Sequence, residues 1–265
     1  MSNWFSIEGK TALVTGGSRG IGEMIDAGFL INGARVYINS RKANVCNETA
    51  ARLATTYGGD CISIPGDISD LASIEDVFNE IDKREERLDI LVNNAGATWG
   101  APIDEFPESG WDKVMDTNVK GIFFLTQKML PLLRRSASHE DPARVINIGS
   151  VDGIKTPAFE NFSYGPAKAA VHHLTRVMAA HLIKENIIVN AIAPGPFPSW
   201  MLSAGVGFGG KVEGADWDAV GRNNPSGRVG TMEDIAGLAI FLSSRAGAYT
   251  VGETITCDGG AVAAS

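Results

Sequence analysis

Short apolar runs alternate along the chain with longer stretches in which apolar residues return every three or four positions. Runs of four to six residues rich in Val, Ile and Leu are typical of buried parallel strands. The three-to-four-residue period is typical of helices that bury one face. The pattern predicts strands at residues 11–15, 35–38, 61–64, 89–92, 145–148, 187–192 and 253–256, and helices near 20–32, 43–56, 71–84, 111–133, 164–185 and 232–242.

This alternation predicts an α/β protein, because right-handed helical crossovers join neighbouring parallel strands. We expect a single-domain, doubly wound Rossmann fold over residues 1–265, with a parallel sheet of about seven strands and helices on both faces. Thr231 followed by Asp234 predicts a capping box at the last helix. Residues 194–222 are rich in Gly, Pro and Trp with little periodicity, which predicts a long loop and a flexible substrate lid near 196–222.

Composition and charge exclude several classes of protein. Apolar residues make up 44% and charged residues 20% of the chain, as in soluble globular proteins. A net charge of −8 argues against binding to nucleic acid or an anionic membrane, and no run reaches the ~18 apolar residues of a membrane span. The first residues lack a signal-peptide pattern, and Cys46, Cys61 and Cys257 fit neither a disulfide framework nor a metal site. We therefore expect a cytoplasmic protein without a metal.

A glycine-rich segment follows the first strand, with the spacing Gly-x-x-x-Gly-x-Gly from Gly16 to Gly22. Glycines let the backbone approach a pyrophosphate closely, and free N–H groups at a helix start favour the anion. The spacing differs from the general Gly-x-Gly-x-x-Gly fingerprint, and the Gly-Lys-Ser/Thr of nucleotide hydrolases is absent. By itself the segment is either a dinucleotide loop or a glycine-rich tight turn.

Further polar clusters follow other predicted strands. They are 67–68, 93–96, 149–150 and 194–195. In open α/β sheets the ligand lies beyond the carboxyl ends of the strands. Unless these clusters are unrelated turn residues, they predict one site at that edge of the sheet.

The end of the second predicted strand bears on which dinucleotide binds. NAD-binding proteins place an acid there to bond the ribose 2′-hydroxyl, and residues 36–44 contain no acid. Instead Arg41 lies just past the strand, and Arg19 projects from the glycine segment; guanidinium groups suit a phosphate. If these are not simply solvated surface arginines, they predict NADP(H) over NAD(H) by about tenfold, or ~1.4 kcal/mol.

A Tyr-x-x-x-Lys pair, Tyr164 and Lys168, carries the candidate chemistry, with Ser150 upstream. A free tyrosine has a pKa of ~10, so it exchanges protons poorly near neutrality. Lys168 lies one helical turn on, and an adjacent cation lowers a phenol pKa. The pattern indicates proton transfer to or from a carbonyl oxygen, although each residue alone also suits a surface or turn position.

Taken together, these motifs resemble the short-chain dehydrogenase/reductase family over essentially the whole chain. The matching elements are 15–22, 93–96, Asn118, Ser150, Tyr164, Lys168 and 194–195. The chain is most similar to the 3-oxoacyl-thioester (acyl-carrier-protein) reductases, including 227–230 and 258–260. Segments 130–135 and 143–150 are also similar to the ketoacyl reductases of the rhamnolipid pathway.

The resemblance implies roles for particular residues. Tyr164 would donate a proton to the carbonyl oxygen as hydride arrives from the nicotinamide, and Ser150 would hydrogen-bond that oxygen. Lys168 would also hold the nicotinamide ribose, and Asn118 would anchor a water chain. The implied NADP(H)-binding residues are Gly16, Ser18, Arg19, Gly20, Ile21, Gly22, Ser40, Arg41, Asp67, Ile68, Asn94, Ala95, Gly96, Tyr164, Lys168, Pro194, Gly195, Phe197 and Ser199.

The leading hypothesis is therefore an NADPH-dependent ketone reductase acting on a small molecule or acyl thioester, in particular a 3-oxoacyl thioester. The alternatives are a broader carbonyl, polyol or steroid dehydrogenase, and a non-catalytic regulator that senses dinucleotides. The resemblance also implies a homotetramer. Asp26 departs from the family pattern, which has a small apolar residue there, and His172 and His173 are expected to be helix-surface or interface residues.

Overall fold

The computed structural model describes residues 3–156 and 159–265, and over these ranges the strands form one parallel sheet. Its strands are β1 (Thr11–Thr15), β2 (Arg35–Asn39), β3 (Cys61–Ser63), β4 (Ile90–Asn93), β5 (Ala143–Ile148), β6 (Ile187–Pro194) and β7 (Thr254–Cys257). Their order is β3-β2-β1-β4-β5-β6-β7. The order reverses between β1 and β4, and a crevice opens at such a switch point. The predicted doubly wound α/β fold is confirmed.

Helices cover both faces of this sheet. They are α1 (Gly20–Ile31), α2 (Ala43–Tyr57), α3 (Leu71–Asp82), α4 (Glu108–Met115), α5 (Gly121–Ser136), α6 (Tyr164–Leu182), α7 (Trp200–Gly205), α8 (Trp217–Arg222) and α9 (Met232–Ser243). Helices α1, α2 and α9 share one hydrophobic cluster with the sheet, and α3, α5 and α6 share the other. No helix in the described ranges is both long and apolar enough to cross a membrane.

Alternation along the strands divides the core between these two clusters. In β1, Ala12 and Val14 face α1 and α9, whereas Leu13 faces the opposite layer; in β4, Val92 and Leu91 divide in the same way. All five side chains are fully buried. A strand buried on both faces needs a continuous apolar run rather than an alternating one, which is why the sequence predicted these strands well.

Two sequence-based predictions are wrong in detail. The single helix expected at 111–133 is two helices, α4 and α5, joined by a π-helical turn at Asp116–Lys120. The loop expected at 194–222 contains α7 and α8. Each of these helices has only six residues, too few to display a helical period, and each starts with a capping side chain, Ser199 or Asp216. The capping box of Thr231 and Asp234 is confirmed.

Candidate functional site

The glycine segment between β1 and α1 packs tightly against the residues that follow β4. Gly16 has φ +66°, and a Cβ there would lie 2.8 Å from the Asn94 side chain. Asn94 Nδ2 donates to the carbonyls of Thr15 (2.8 Å) and Gly16 (3.2 Å). Thr15 Oγ1 accepts from the backbone N–H groups of Asn94 and Ala95, both at 3.0 Å. The predicted loop and the 93–96 cluster therefore form one rigid unit.

The N-terminus of α1 opens from this unit. Its N-cap residue, Arg19, places no side chain on the helix N–H groups, which leaves them available to an anion. A Cβ at Gly22 would overlap both Asn94 Nδ2 and the Gly16 carbonyl. Glycine is therefore required at this position by the close approach of the backbone, as expected of a dinucleotide loop.

Polar groups without hydrogen-bond or ion-pair partners among the described residues surround the carboxyl end of β2. Ser40 follows the strand, and its buried Oγ has no hydrogen-bond partner. Arg41 and Arg19 are both exposed, and within residues 3–156 and 159–265 neither forms an ion pair. The Arg19 guanidinium lies 5.1 Å from the centroid of the Trp200 ring. A hydroxyl and two guanidinium groups without anionic partners suit a phosphate monoester.

The segment after β3 connects this region to α5. The Asp67 carboxylate accepts from the N–H (3.0 Å) and hydroxyl (2.7 Å) of Ser69. The Ile68 carbonyl lies 2.5 Å from the position that a Cβ at Gly121 would occupy. Ile68 therefore lies beside the turn that carries Asn118, and Asp67 directly precedes it in the chain.

Asn118 is completely buried in the π-helical turn between α4 and α5. Its Oδ1 accepts from Ala97 N–H and its Nδ2 donates to Ala97 C=O, both at 2.8 Å. A Cβ at Gly96 would lie 3.2 Å from Asn118 Oδ1 and 3.8 Å from Lys168 Nζ. π-Helical turns often occur at functional sites, and this one brings Asn118, Gly96 and Lys168 together.

Tyr164 and Lys168 occupy the first two turns of α6. Lys168 is buried, and its Nζ donates to the Ile148 carbonyl at 2.7 Å. The same ammonium lies 5.6 Å from the centroid of the Tyr164 ring. Burial lowers the pKa of Lys168 to about 8, because desolvation disfavours the charged form.

The Tyr164 phenol does not behave as the sequence predicted. Burial, followed by the charge of Asp152, raises its pKa to about 12, and the neighbouring Ser150 hydroxyl lowers it. The net shift is upward, opposite to the lowering predicted from Lys168, whose charge is not among the causes of the shift in the protein alone. Lys168 directs its ammonium to the Ile148 carbonyl instead. Tyr164 is therefore fully protonated near neutral pH, which is the form that donates a proton.

Ser150 directly follows β5 and caps the short 3-10 turn Val151–Gly153. Its Oγ accepts from Asp152 N–H at 3.1 Å and lies near the Tyr164 phenol, whose pKa it lowers. Ser150 is 8% exposed. The structure thus brings Ser150, Tyr164 and Lys168 to one place, as predicted, and fixes the serine hydroxyl beside the phenol.

The residues after β6 reach back to the glycine segment. Gly195 N–H donates to the Cys257 carbonyl at 3.0 Å, which fixes the segment that begins at Pro194. Ser199 caps α7, and its Cβ lies 3.4 Å from the Cβ position of Gly20. The Phe197 side chain, in contrast, is buried in the core of the α1–α9 face and overlies Gly230. Only the backbone of Phe197 is therefore available for the predicted contact with the cofactor.

A buried polar network supports the site and was missed at the sequence level. Asn93 Nδ2 donates to Thr126 Oγ1 (3.0 Å) and Asn147 Oδ1 (2.8 Å). Asn147 Nδ2 donates in turn to Thr175 Oγ1 at 2.9 Å. The available signal was an asparagine inside each of two apolar strands, since a buried amide needs partners. The network joins β4, β5, α5 and α6.

Sequence reasoning also misplaced His172. It is only 5% exposed, and its Nε2 lies 3.4 Å from the Ser150 backbone nitrogen. Burial and the charges of Lys168 and Arg176 lower its pKa to about 4. The expectation of a helix-surface or interface residue is wrong for His172 and correct for His173, which is exposed.

Comparisons with known proteins agree with this geometry. Residues 16–262 match a family model described as enoyl-(acyl carrier protein) reductase. The rhamnolipids biosynthesis 3-oxoacyl-(acyl-carrier-protein) reductase of Pseudomonas aeruginosa is 50% identical over 260 residues, covering 98% of this chain and 99% of that protein. Gluconate 5-dehydrogenase of Gluconobacter oxydans is 34% identical over 260 residues, covering 97% and 96%. The solved Pseudomonas aeruginosa RhlG/NADP active-site complex has a TM-score of 0.90 at 49% identity, covering 98% and 99%.

Proposed function

The chain belongs to the short-chain dehydrogenase/reductase family, and we propose that it reduces a ketone to a secondary alcohol with NADPH. The observation that carries this proposal is that Ser150, Tyr164 and Lys168 lie together at the sheet edge that also holds the glycine loop. The helix that begins in this loop has no side-chain cap on its N-terminal N–H groups. A non-catalytic dinucleotide sensor would not need a protonated phenol beside a serine hydroxyl at the same edge of the sheet.

The chain's own residues supply the proton chemistry. Tyr164, protonated because burial raises its pKa to about 12, donates its phenolic proton to the carbonyl oxygen. The Ser150 hydroxyl bonds the same oxygen and orients it. Lys168 supplies a positive charge that stabilises the phenolate left behind, and the buried Asn118 holds the backbone at Ala97 beside it. When bound, the reduced nicotinamide supplies the hydride.

The residues around the end of β2 fit an NADP cofactor. The orphaned Ser40 hydroxyl and the exposed, unpaired Arg19 and Arg41 can each bond a 2′-phosphate. Residues 36–44 contain no carboxylate that would repel it. The Pseudomonas aeruginosa relative of 49% identity was solved with NADP. These observations support the preference for NADP(H) that the sequence predicts.

The surface beside the catalytic tyrosine favours an apolar substrate. A cavity of about 460 Å³ is lined by Ile103, Phe106, Pro107, Glu108, Trp111 and Phe162. Phe162 precedes Tyr164 by two residues and packs edge-on against Phe106, with centroids 5.9 Å apart. This lining can cover an acyl chain, whereas a polyol would leave its hydroxyls with one charged partner, Glu108. We therefore propose a 3-oxoacyl thioester, in line with the Pseudomonas relative.

A substrate panel tests this proposal. The purified protein is mixed with NADPH and short-, medium- and long-chain 3-oxoacyl thioesters on acyl carrier protein or coenzyme A. A 2-enoyl thioester, a simple ketone and 5-ketogluconate are run in parallel. The expected result is the highest kcat/KM with a 3-oxoacyl thioester. Preference for 5-ketogluconate would replace the acyl proposal with a sugar one, and tight NADPH binding without turnover of any ketone would favour the sensor.

Cofactor preference is tested by Arg41→Asp. This change places a carboxylate where the 2′-phosphate is expected, so the NADP(H)-to-NAD(H) affinity ratio should fall by about tenfold or more, equivalent to ~1.4 kcal/mol. Competitive titration of both cofactors measures the ratio. Lys184→Asp is the matched control, since it makes the same charge change at an exposed site after α6. Equal affinities for the two cofactors in the parent protein would contradict the assignment.

We also propose that the protein is a cytoplasmic homotetramer. Exposed apolar side chains on the helices of one face support an interface, among them Phe123 on α5 and Val177 on α6, each about two-fifths exposed. Light scattering during size-exclusion chromatography at micromolar concentration should give four times the 28.0 kDa chain mass. A monomer at that concentration contradicts the proposal.

A further inference from the structure

A buried imidazole lies directly beneath the serine of the catalytic set. His172 is on α6, one turn beyond Lys168 and two turns beyond Tyr164, so the three side chains share one helix face. Its ring is 5% exposed, whereas its neighbour His173 is exposed on the other side of the helix. The mechanism derived above does not use this group.

Two glycines make room for the ring. A Cβ at Gly149 would overlap His172 Nε2, and a Cβ at Gly153 would lie 2.8 Å from His172 Cε1. Gly149 does not have a positive φ, so its conformation does not demand glycine. Glycine is needed at this position because the imidazole occupies the space that a Cβ would take. Gly149 and Gly153 flank the turn that begins at Ser150, which makes the ring an internal support for that turn.

The ring also has a polar partner. Ser150 N–H points at His172 Nε2, with 3.4 Å between the nitrogens. This is a long hydrogen bond, but the donor is buried, and a buried N–H needs an acceptor. In the described residues no other acceptor for this N–H is found. Because an N–H can only donate, Nε2 must be unprotonated, and the proton of the neutral ring is on Nδ1.

The ring remains neutral across the range in which the enzyme would work. Burial, Lys168 and Arg176 lower the His172 pKa to about 4, so near neutral pH Nε2 keeps its lone pair. A protonated ring would lose the acceptor and place a second cation beside the buried Lys168.

We propose that His172 is a positioning residue for the reaction: its neutral ring, seated between Gly149 and Gly153, accepts the Ser150 N–H and holds the serine hydroxyl in line with the carbonyl that Tyr164 protonates. The inference rests on the proposed ketone reduction but not on the acyl-thioester substrate. His172 itself touches neither substrate nor nicotinamide and acts only through Ser150.

A nearly isosteric pair of substitutions isolates the acceptor. His172→Gln places an amide oxygen near the position of Nε2, whereas His172→Met fills similar space without a comparable acceptor. The expected kcat of His172→Met is about tenfold below the parent, because misplacement of an orienting group raises the barrier. His172→Gln should recover most of this loss. The Kd for NADPH should remain within about twofold in both variants, since the cofactor residues are elsewhere. His173→Met is the matched control and should leave kcat unchanged.

Two further measurements keep the inference testable if His172→Met does not fold. Nitrogen NMR shifts of histidine-labelled parent protein, with His172 assigned from the spectrum of His172→Gln, should show Nε2 unprotonated near neutral pH. Gly149→Ala should displace the ring and lower kcat about tenfold, whereas Gly237→Ala, whose Cβ would contact nothing within 4 Å, should not.

Three results would contradict the inference. A protonated Nε2, equal kcat values for His172→Gln and His172→Met, or an unchanged kcat in Gly149→Ala would each overturn the inference. All variants are assayed with the ketone that the parent reduces fastest. Failure of the 3-oxoacyl proposal would therefore appear in the substrate panel and leave the kcat ratio measurable.

Discussion

The two halves of the sheet's carboxyl edge are built differently. Past β4 and β5, buried groups that carry the proposed chemistry are hydrogen-bonded within the protein: Asn118 with Ala97, and Lys168 with Ile148. Past β1 and β2, key groups are exposed or unpartnered: the guanidinium groups of Arg19 and Arg41, the Ser40 hydroxyl, and both carboxylate oxygens of the fully buried Asp26.

The two halves differ in this way because one, the catalytic half, is proposed to orient the reacting atoms and the other, the cofactor half, to bind the cofactor. A group that orients a reacting atom must already be fixed when the substrate arrives, so its partners are supplied by the fold. A group that recognises a phosphate must keep its donors free for the ligand. The proposed catalytic groups Asn118 and Lys168 are therefore paired within the protein, whereas the proposed phosphate-binding groups keep their donors free for the cofactor. Asp26 fits neither rule, because its carboxylate is buried without a partner among the described residues and therefore lowers the free energy of unfolding.

The largest expected effect is in the catalytic half. Tyr164→Phe removes only the phenolic hydroxyl, so the fold and NADPH affinity should remain, while kcat should fall by about a thousandfold, or ~4 kcal/mol. Steady-state assays and cofactor titration measure the two quantities. Tyr57→Phe, on the partly exposed end of α2, is the control. Turnover within a few-fold of the parent would remove Tyr164 from its role.

The next effect tests whether internal pairing matters for rate. Asn118→Ala leaves the Ala97 N–H and C=O without their side-chain partners in a buried turn. We expect kcat to fall about thirtyfold, or ~2 kcal/mol, together with a lower free energy of unfolding. Urea unfolding and steady-state kinetics provide the measurements, with the exposed Asn79→Ala as control. A loss of stability without a loss of rate would make Asn118 purely structural.

Asp26 gives the cofactor half a stability that depends on pH. Burial, then the charges of Glu23 and Cys46, raises its pKa well above the ordinary value of ~3.9. Between the unfolded and folded pKa values the folded state binds more protons than the unfolded one, so the free energy of unfolding decreases as pH rises. Asp26→Ala should remove this dependence and stabilise the protein by about 1–3 kcal/mol at neutral pH, with a smaller gain in mild acid.

Urea unfolding of parent and variant at a mildly acidic and a mildly alkaline pH measures both gains. Asp104→Ala, at an exposed position, should stay within ~0.5 kcal/mol of the parent at either pH. An equal gain from Asp26→Ala at the two pH values would show that Asp26 has the same pKa in the folded and unfolded chains.

The smallest effect concerns the contact between the lid and the cofactor half. The Trp200 ring stacks on the Arg19 guanidinium, 5.1 Å away, and is 48% exposed. Such a pair contributes ~0.5–1 kcal/mol, so Trp200→Leu should weaken NADP(H) binding by about threefold. NAD(H), which lacks the phosphate, is the internal control. Equal weakening of both cofactors would show that Trp200 acts on the lid in general and not through Arg19.

The sequence predicted the sheet and most of the site because these features are local or periodic. Buried parallel strands need continuous apolar runs, and the Gly16 to Gly22 loop needs glycines for close backbone approach. The tyrosine and lysine of the catalytic set are one helical turn apart. The strand-end rule placed 93–96 and 149–150 at the same edge, and the pairing of Asn93 with Asn147 at the ends of β4 and β5 confirms that the two clusters start from neighbouring strands.

Other features depended on contacts between distant segments, so the sequence could not supply them. No local pattern distinguishes His172, buried under Ser150, from His173 in solvent, because the difference comes from how α6 is rotated against β5. The Tyr164 pKa went the opposite way from the prediction, because burial and the charge of Asp152 raise it while the Lys168 ammonium bonds the Ile148 carbonyl.

By itself, therefore, the sequence determined the succession of strands and main helices and the family resemblance, and it named the residues that we propose to carry the chemistry. These follow from backbone preference, hydrophobic period and short motifs. Only the tertiary structure decided which polar groups are buried, which are paired and which are left for a ligand. Burial and pairing are set by segments far apart in the chain, and they fix the protonation states with which the site begins its work.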